Sequence, residues 1–207
     1  MEKVIMYKPE LETMQRDRLA EYQLNLFRRQ MAYVYERSPM YRRKFDEAGV
    51  RREDIKTLED VRKVPFTTKE ELRQSQEKHP PFGDFLCIPS EEGVRVFQTT
   101  GTTGIPVRSL LNKNDWYLHY YEQFMYFMYG YGITKKDVMF VPFNYGLYLA
   151  WWGIQAAFEQ AGVLIIPGGG QSSEDRIRNI LEWKPTVLCG TPTYILFLGD
   201  TGRKMGA

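Results

Sequence analysis

Apolar residues in the first part of the chain recur at three- and four-residue intervals: Leu19, Tyr22 and Leu26, with Phe27, Met31 and Val34. That spacing sets them along one side of a helix and predicts helix to about Arg37. Ser38-Pro39 reads as an N-cap followed by proline at the first helical position, opening a short helix that Gly49 closes. Thr57 with Asp60, and Thr68 with Glu71, predict two further short helices; only the second has the full Thr-x-x-Glu form. Near Gly93 the period changes. Residues 94–98 alternate like a strand, the glycine- and threonine-rich TTGTTG follows, and residues 107–111 read as a returning strand, which predicts a hairpin. An aromatic-rich helix is expected over 115–129. Strands are expected at 138–143, 163–166 and 186–189, separated by helices at 147–160 and 173–183 and followed by a helix from Pro192.

Short β-branched runs separated by helix-length segments imply βαβ units. The expected fold is α/β: a helical lead-in (1–92), then βαβ units forming a largely parallel sheet flanked by helices (93–207). The last helical pattern runs out at Met205-Gly206-Ala207 with no further strand pattern. That leaves an uncovered sheet edge and an expectation that this second part is truncated.

Composition narrows the function classes. There are 28 basic and 26 acidic side chains, a net charge of +2, so no excess of one sign points to nucleic acid or an anionic membrane. The cluster Arg42, Arg43, Lys44 is followed at once by Asp46 and Glu47 and reads as a solvated helix face. Cys87 and Cys189 form no C-x-x-C pair, so reduced thiols are expected. His79 and His119 lie far apart without clustered ligands, and no metal site is expected. The N-terminus has no apolar signal-like core, and the apolar run from Leu147 to Phe158 is too short to span a bilayer. A cytoplasmic location follows as an expectation.

The segment VFQTTGTTGIPV carries the most chemistry. Gly101 and Gly104 allow positive φ and close approach of backbone to a ligand. Thr99, Thr100, Thr102 and Thr103 add hydroxyls beside successive backbone N–H groups, a concave arrangement suited to phosphate oxygens. Each hydrogen bond to a charged oxygen contributes about 1.5–3 kcal/mol, so three or four could hold a polyphosphate. The same residues also read as a flexible hairpin tip. The spacing is not that of a Walker loop, Gly130-Tyr131-Gly132 is no dinucleotide fingerprint, and Gly168-Gly169-Gly170 alone marks only a turn.

QTTGTTGIP resembles the Ser/Thr-Gly-Thr-Thr-Gly-Lys-Pro phosphate loop of adenylate-forming enzymes. The likeness extends along the chain to the phenylacetate–CoA ligase branch. MYRRKFDEAGV and LEDVRKVPFTTKEELR are similar to its helical lead-in, YGLYLAWWGIQAAFEQAGVLIIPGGGQS to its Tyr-Gly-Leu-Phe segment and glycine turn, and PTVLCGTPTY to its Thr-Pro-Ser-Tyr strand end. The resemblance implies ATP, Mg²⁺ and a carboxylic acid as partners. The acid attacks the α-phosphate, pyrophosphate leaves, and a thiol, usually coenzyme A, displaces AMP. It assigns the β- and γ-phosphates to Thr99, Thr100, Gly101, Thr102, Thr103 and Gly104. It puts Tyr145, Gly146, Tyr148 and Ala150 beside the acyl pocket, although Tyr145, Tyr148, Trp151 and Trp152 also read as core. It sets Gly168, Gly169, Gly170 and Gln171, and Gly190, Thr191 and Pro192, at strand C-termini, where ligands bind in open α/β sheets.

Two positions depart from the pattern. Ile105 stands where the family has lysine, which predicts weaker nucleotide binding, with Arg108 as one candidate replacement. Ala150-Trp151 stands where relatives carry Gly-Gly, which predicts a reshaped acyl pocket. The family's later Tyr-Gly-acid segment, ribose-binding aspartate and catalytic lysine have no counterpart here, so the chain alone is expected to be catalytically incomplete. The other readings are a non-catalytic phosphate-binding protein that self-associates, a split enzyme with a separate C-terminal half, and a deazaflavin-adenylylating synthetase.

Overall fold

The computed structural model describes residues 5–101 and 104–207, which fall into two compact units. One spans Lys8–Lys113; the other comprises Asn114–Ala207 together with the N-terminal residues through Tyr7.

In the first unit, α1 (Pro9–Glu12) leads into the long helix α2 (Arg16–Arg37), and α3 (Pro39–Glu47) follows directly. Ser38 caps α3, its hydroxyl accepting from Tyr41 N, and Pro39 takes the first helical position as expected. Met31 of α2, Phe45 of α3, Val50 and Ile55 form the core of this unit. The α2 stripe is only partly used. Tyr22 and Leu26 stay exposed because the elements that touch α2, α3 and the 3-10 turn Arg52–Asp54, cover its later turns.

The two Thr-x-x-acid signals part company. At Thr68 the capping box closes in both directions and α4 (Lys69–Lys78) forms. At Thr57 the short helix that follows is 3-10 rather than α. The Asp60 carboxylate instead accepts from Lys56 N and Thr57 N, and the chain makes only a 3-10 turn over Glu59–Lys63. A carboxylate reaching back satisfies the first N–H groups, but a hydroxyl reaching forward is needed for the full box. The unit ends in the antiparallel hairpin β1 (Gly93–Gln98) and β2 (Arg108–Asn112), with Gln98 opposite Arg108.

The second unit opens with a π-helical segment, Asp115–Tyr120, running into α5 (Tyr121–Gly130) where sequence predicted one regular helix. Then β3 (Val138–Val141), α6 (Leu149–Gln160), β4 (Leu164–Pro167), α7 (Ser173–Trp183), β5 (Val187–Leu188) and α8 (Pro192–Lys204) alternate. The three strands make a parallel sheet in the order β4-β3-β5. The α/β class with a parallel sheet is therefore observed, although β5 is only two residues long. Met139, Phe140 and Val141 of β3 are buried, as a central strand covered on both faces requires. Met125 and Met128 of α5, Ala157 and Phe158 of α6, and Val163 close around Met139 and Val141 as the core. Among the described residues no helix is long and apolar enough to cross a membrane, and no group of three or more His, Cys, Asp or Glu side chains gathers in metal-ligand fashion.

Candidate functional site

The hairpin loop is shaped by its first residue and its glycines. Thr99 closes its base: its N–H donates to Val107 O at 3.0 Å and its hydroxyl accepts from Val107 N at 3.1 Å. Gly101 takes φ +69°, and a Cβ there would lie 2.8 Å from Pro106 Cγ and 2.9 Å from Gly104 O. Only glycine fits both the conformation and the space. Gly104 N donates to Gly101 O at 3.0 Å. Thr100 is exposed, and Thr102 and Thr103 lie outside the described residues.

Helix α4 supplies the support for this loop. Gln76, almost fully buried, donates its amide to Arg108 O at 2.9 Å and accepts from Arg108 N at 3.3 Å, sewing α4 to β2. Arg73 Nε donates to Ile105 O at 3.0 Å, and its guanidinium carbon lies 3.7 Å from where a Gly104 Cβ would be. Arg108, the candidate cation from sequence, sends its guanidinium instead to Pro81 O at 3.3 Å.

The helix is in turn fastened through Asp84. That carboxylate accepts from Ser75 Oγ at 2.7 Å and from Arg43 at 2.6 Å, while Asp84 O accepts from Ser38 Oγ and Met40 N. Burial works to raise the Asp84 pKa, but the Ser75 hydroxyl and Arg43 guanidinium outweigh it and hold the carboxyl below its ordinary value. Glu71 is drawn down to about 2, first by the Lys44 ammonium and then by the Thr68 N–H.

In the second unit, the turns at the C-terminal ends of the three strands converge. Gly168 N donates to Val141 O at 2.8 Å, and Gly170 N donates to Asn144 Oδ1 at 2.6 Å, tying the turn after β4 to the turn after β3. A Cβ on Gly168 would lie 2.8 Å from Phe140 Cζ and 3.0 Å from Val141 O, so this turn passes too close to β3 for any side chain. Arg176 of α7, 8% exposed, donates Nε to Gly168 O at 2.9 Å, Nη1 to the Tyr194 hydroxyl, and lies over the Tyr194 ring. Ser173 shares that hydroxyl at 3.0 Å. Phe143 stacks on Trp151 at 4.2 Å and leans on Tyr194 at 5.3 Å. The three turns thus enclose one aromatic-walled surface.

No family model matches the chain. Curated relatives do. It is 37% identical to the phenylacetate-coenzyme A ligase of Thermus thermophilus over 98% of its length, and 34% identical to that of Escherichia coli over 95%. It spans about 44% of each of those relatives. Its fold superposes on 2-hydroxyisobutyryl-CoA ligase in complex with 2-HIB-AMP and CoA with a TM-score of 0.90 at 34% identity, covering 95% of this chain and 42% of that one. An open conformation of the same ligase gives 0.89 at 32% identity. In sequence and fold the chain matches the N-terminal part of an adenylate-forming ligase of the phenylacetate–CoA ligase branch.

Of the positions that the ligase resemblance singles out, Gly168, Gly169, Gly170 and Gln171 sit together after β4, with Gln171 Oε1 accepting from Asn179 at 2.9 Å. Gly190, against the Phe143 ring, Thr191 and Pro192 form the entry to α8. Tyr145 packs against Trp152 and the apolar core; its buried hydroxyl has no hydrogen-bond partner among the described residues, and burial followed by the nearby Glu159 charge pushes its pKa up to about 12. Gly146 O accepts from Trp152 Nε1, Tyr148 is half-exposed beside it, and Ala150 lies in the first turn of α6. A cavity of about 550 Å³ along β5 is lined by Phe124, Phe127, Tyr131, Leu188, Cys189 and Gly190 among others, but by none of Tyr145, Gly146, Tyr148 or Ala150. Sequence reading missed Arg73 and Arg176. Each acts on a glycine turn at a distance in sequence, 32 and 8 residues from its acceptor, that no local motif spans.

Proposed function

We propose that the chain forms the phosphate-binding and acyl-side part of an AMP-forming carboxylate–CoA ligase. In that reaction a carboxylate oxygen attacks the ATP α-phosphate, the bond to the β-phosphate breaks, and pyrophosphate leaves. The CoA thiol then attacks the acyl carbon and AMP departs, giving a thioester. The observation that supports this most strongly is agreement at two levels along the same residues: 37% identity to a curated ligase over 98% of the chain, and a TM-score of 0.90 to a ligase crystallised with an acyl adenylate and CoA.

Thr99–Gly104 is the segment for the leaving β- and γ-phosphates, with Thr99 and Gly101 setting its shape. Preorganised N–H donors stabilise the charge that develops on the leaving group. The strand-end surface of Tyr145, Gly168–Gln171 and Gly190–Pro192 takes the acyl side, and Mg²⁺ arrives with the nucleotide. Trp151, stacked on Phe143, fills space where the resemblance places a pair of glycines, so the acid is smaller than phenylacetate. Nothing in the relatives supports the deazaflavin or non-catalytic alternatives.

Titration of the chain with ATP, pyrophosphate, and acyl-sulfamoyl-adenosines of phenylacetate and 2-hydroxyisobutyrate tests the proposal. Binding at about millimolar or tighter is expected, with the smaller acyl analogue preferred over the aromatic one and no AMP release. Failure of all four ligands to bind overturns the reading.

A further inference from the structure

We propose that the concave surface between α2 and the 3-10 turn Arg52–Asp54 is an anion site that takes the diphosphate group of a small molecule. An open cavity of about 650 Å³ there is lined by Asn25, Arg28 and Arg29 of α2 and by Arg52, Glu53 and Lys56. Four cations and one carboxylate give it a local charge of +3, on a chain whose total is only +2. The remainder of the chain is therefore slightly acidic, which favours a small ligand over nucleic acid. The lining shares no residue with the hairpin loop or with the strand-end turns.

The two walls are fixed to each other. Arg28 Nε donates to Ile55 O at 2.6 Å, and Ile55 is fully buried in the core of this unit. Lys56 N and Thr57 N both donate to the Asp60 carboxylate at 2.9 Å, which sets the backbone that carries Lys56.

Exposed cations on a helix are commonly compensated by nearby acids. Arg43 and Lys44 on α3 are so matched, by Asp84 and Glu71. Helix α2, by contrast, carries no acidic residue between Glu21 and Glu36. The acids of the following segment are engaged elsewhere: Asp46 with Arg51 and Tyr35, Asp54 with Arg51 N, and Asp60 with Lys63. Glu53 is held by Arg52 at 2.7 Å. Among the described residues no carboxylate pairs with Arg28, Arg29 or Lys56. Like charges gathered around one concavity focus a positive potential into it. A diphosphate carries the charge that balances them, and its oxygens match the arginine fork.

The test is a titration of the 207-residue chain with inorganic pyrophosphate and, separately, with ADP, followed by the backbone amide NMR shifts of Asn25, Arg29 and Lys56. Ionic strength is held constant with sodium chloride. Saturable shifts at these residues are expected, with a dissociation constant of about a millimolar or tighter. Arg29→Gln combined with Lys56→Gln is expected to weaken that binding about tenfold or more and to leave the melting temperature unchanged, since both residues are exposed. Arg29→Lys combined with Lys56→Arg keeps both charges and is expected to bind within about threefold of the parent. Tighter binding of ADP than of pyrophosphate assigns the diphosphate to a nucleotide; equal or weaker binding assigns it to the free anion. The proposal is overturned if the Gln pair binds like the parent, if sodium chloride alone reproduces the shifts, or if the charge-keeping pair loses binding as well. Shifts confined to Thr99 and Gly101 also overturn it, but leave the ligase reading standing. No shift at either place removes the support for both.

Discussion

Each unit carries a glycine-rich turn, and each turn has an arginine from a helix donating Nε to one of its carbonyls. Arg73 reaches Ile105 O at 3.0 Å and Arg176 reaches Gly168 O at 2.9 Å. The surroundings then diverge. Arg176 is buried, its second donor is spent on the Tyr194 hydroxyl, and its face is covered by the Tyr194 ring. Arg73, its side chain only 14% exposed, lies beside Gly104 and pairs with Glu70, which is 63% exposed. One arginine spends its fork on a hydroxyl and an aromatic ring inside the unit, whereas the other pairs with a carboxylate open to solvent. A shared hydrogen bond therefore identifies neither as functional, and both side chains are largely buried; the exposure of the second partner separates them.

The largest expected effect sharpens that distinction. Arg176→Met leaves the Gly168 carbonyl without its buried side-chain donor and the Tyr194 hydroxyl with Ser173 alone, and is expected to destabilise by about 3 kcal/mol, lowering the melting temperature by about 10 °C. Arg73→Gln, which loses the bond to Ile105 O and a pair with an exposed glutamate, is expected to cost about 1 kcal/mol in the same measurement. Equal losses would break the comparison. Next come the glycines. Gly101→Ala meets both a positive φ and contacts of 2.8 and 2.9 Å, and is expected to cost about 2–3 kcal/mol in chemical denaturation. Gly170→Ala meets only the positive φ, with nothing within 4 Å, and is expected to cost about 1 kcal/mol.

The smallest effect concerns acid. The Asp84 carboxyl has a lowered pKa in the folded chain, so its contribution is complete above the unfolded value near 4 and is lost as pH falls through the lower folded value. Melting profiles between pH 7 and 3 are expected to fall more steeply for the parent than for Asp84→Asn, which has already lost the charge. Parallel profiles would show that Asp84 is not what makes the seat of α4 acid-sensitive.

Much of this architecture is legible in the sequence because its causes are local. Ser38-Pro39 and the Thr68–Glu71 box start helices through contacts three residues apart, and the β-branched runs announce β3 and β4. Misreadings arise where a local signal admits two outcomes. Asp60 satisfies the same N–H groups that a helix start would expose, and the aromatic run after Asn114 begins as π-helix. Within the candidate site the glycine turns are visible in sequence, since glycine spacing is a backbone property. The residues that brace them are not. Arg73 and Arg108 are equally basic and equally available on paper; the register of α4 against β2, set through Gln76, decides which of them meets the loop.

The strand order β4-β3-β5 has a consequence that depends on no particular side chain. From β3 the chain winds outward to β4, then must step back across β3 to reach β5. Right-handed crossovers travelling in opposite directions place their helices on opposite faces of the sheet. The connection leaving β3 and the one leaving β4 therefore run on opposite faces, although the turns that begin them are tied together at the end of the sheet. Asn144 makes one of those ties. Substitutions among the aromatic residues there can reshape the surface, but moving either helix to the other face would require a different path of the chain.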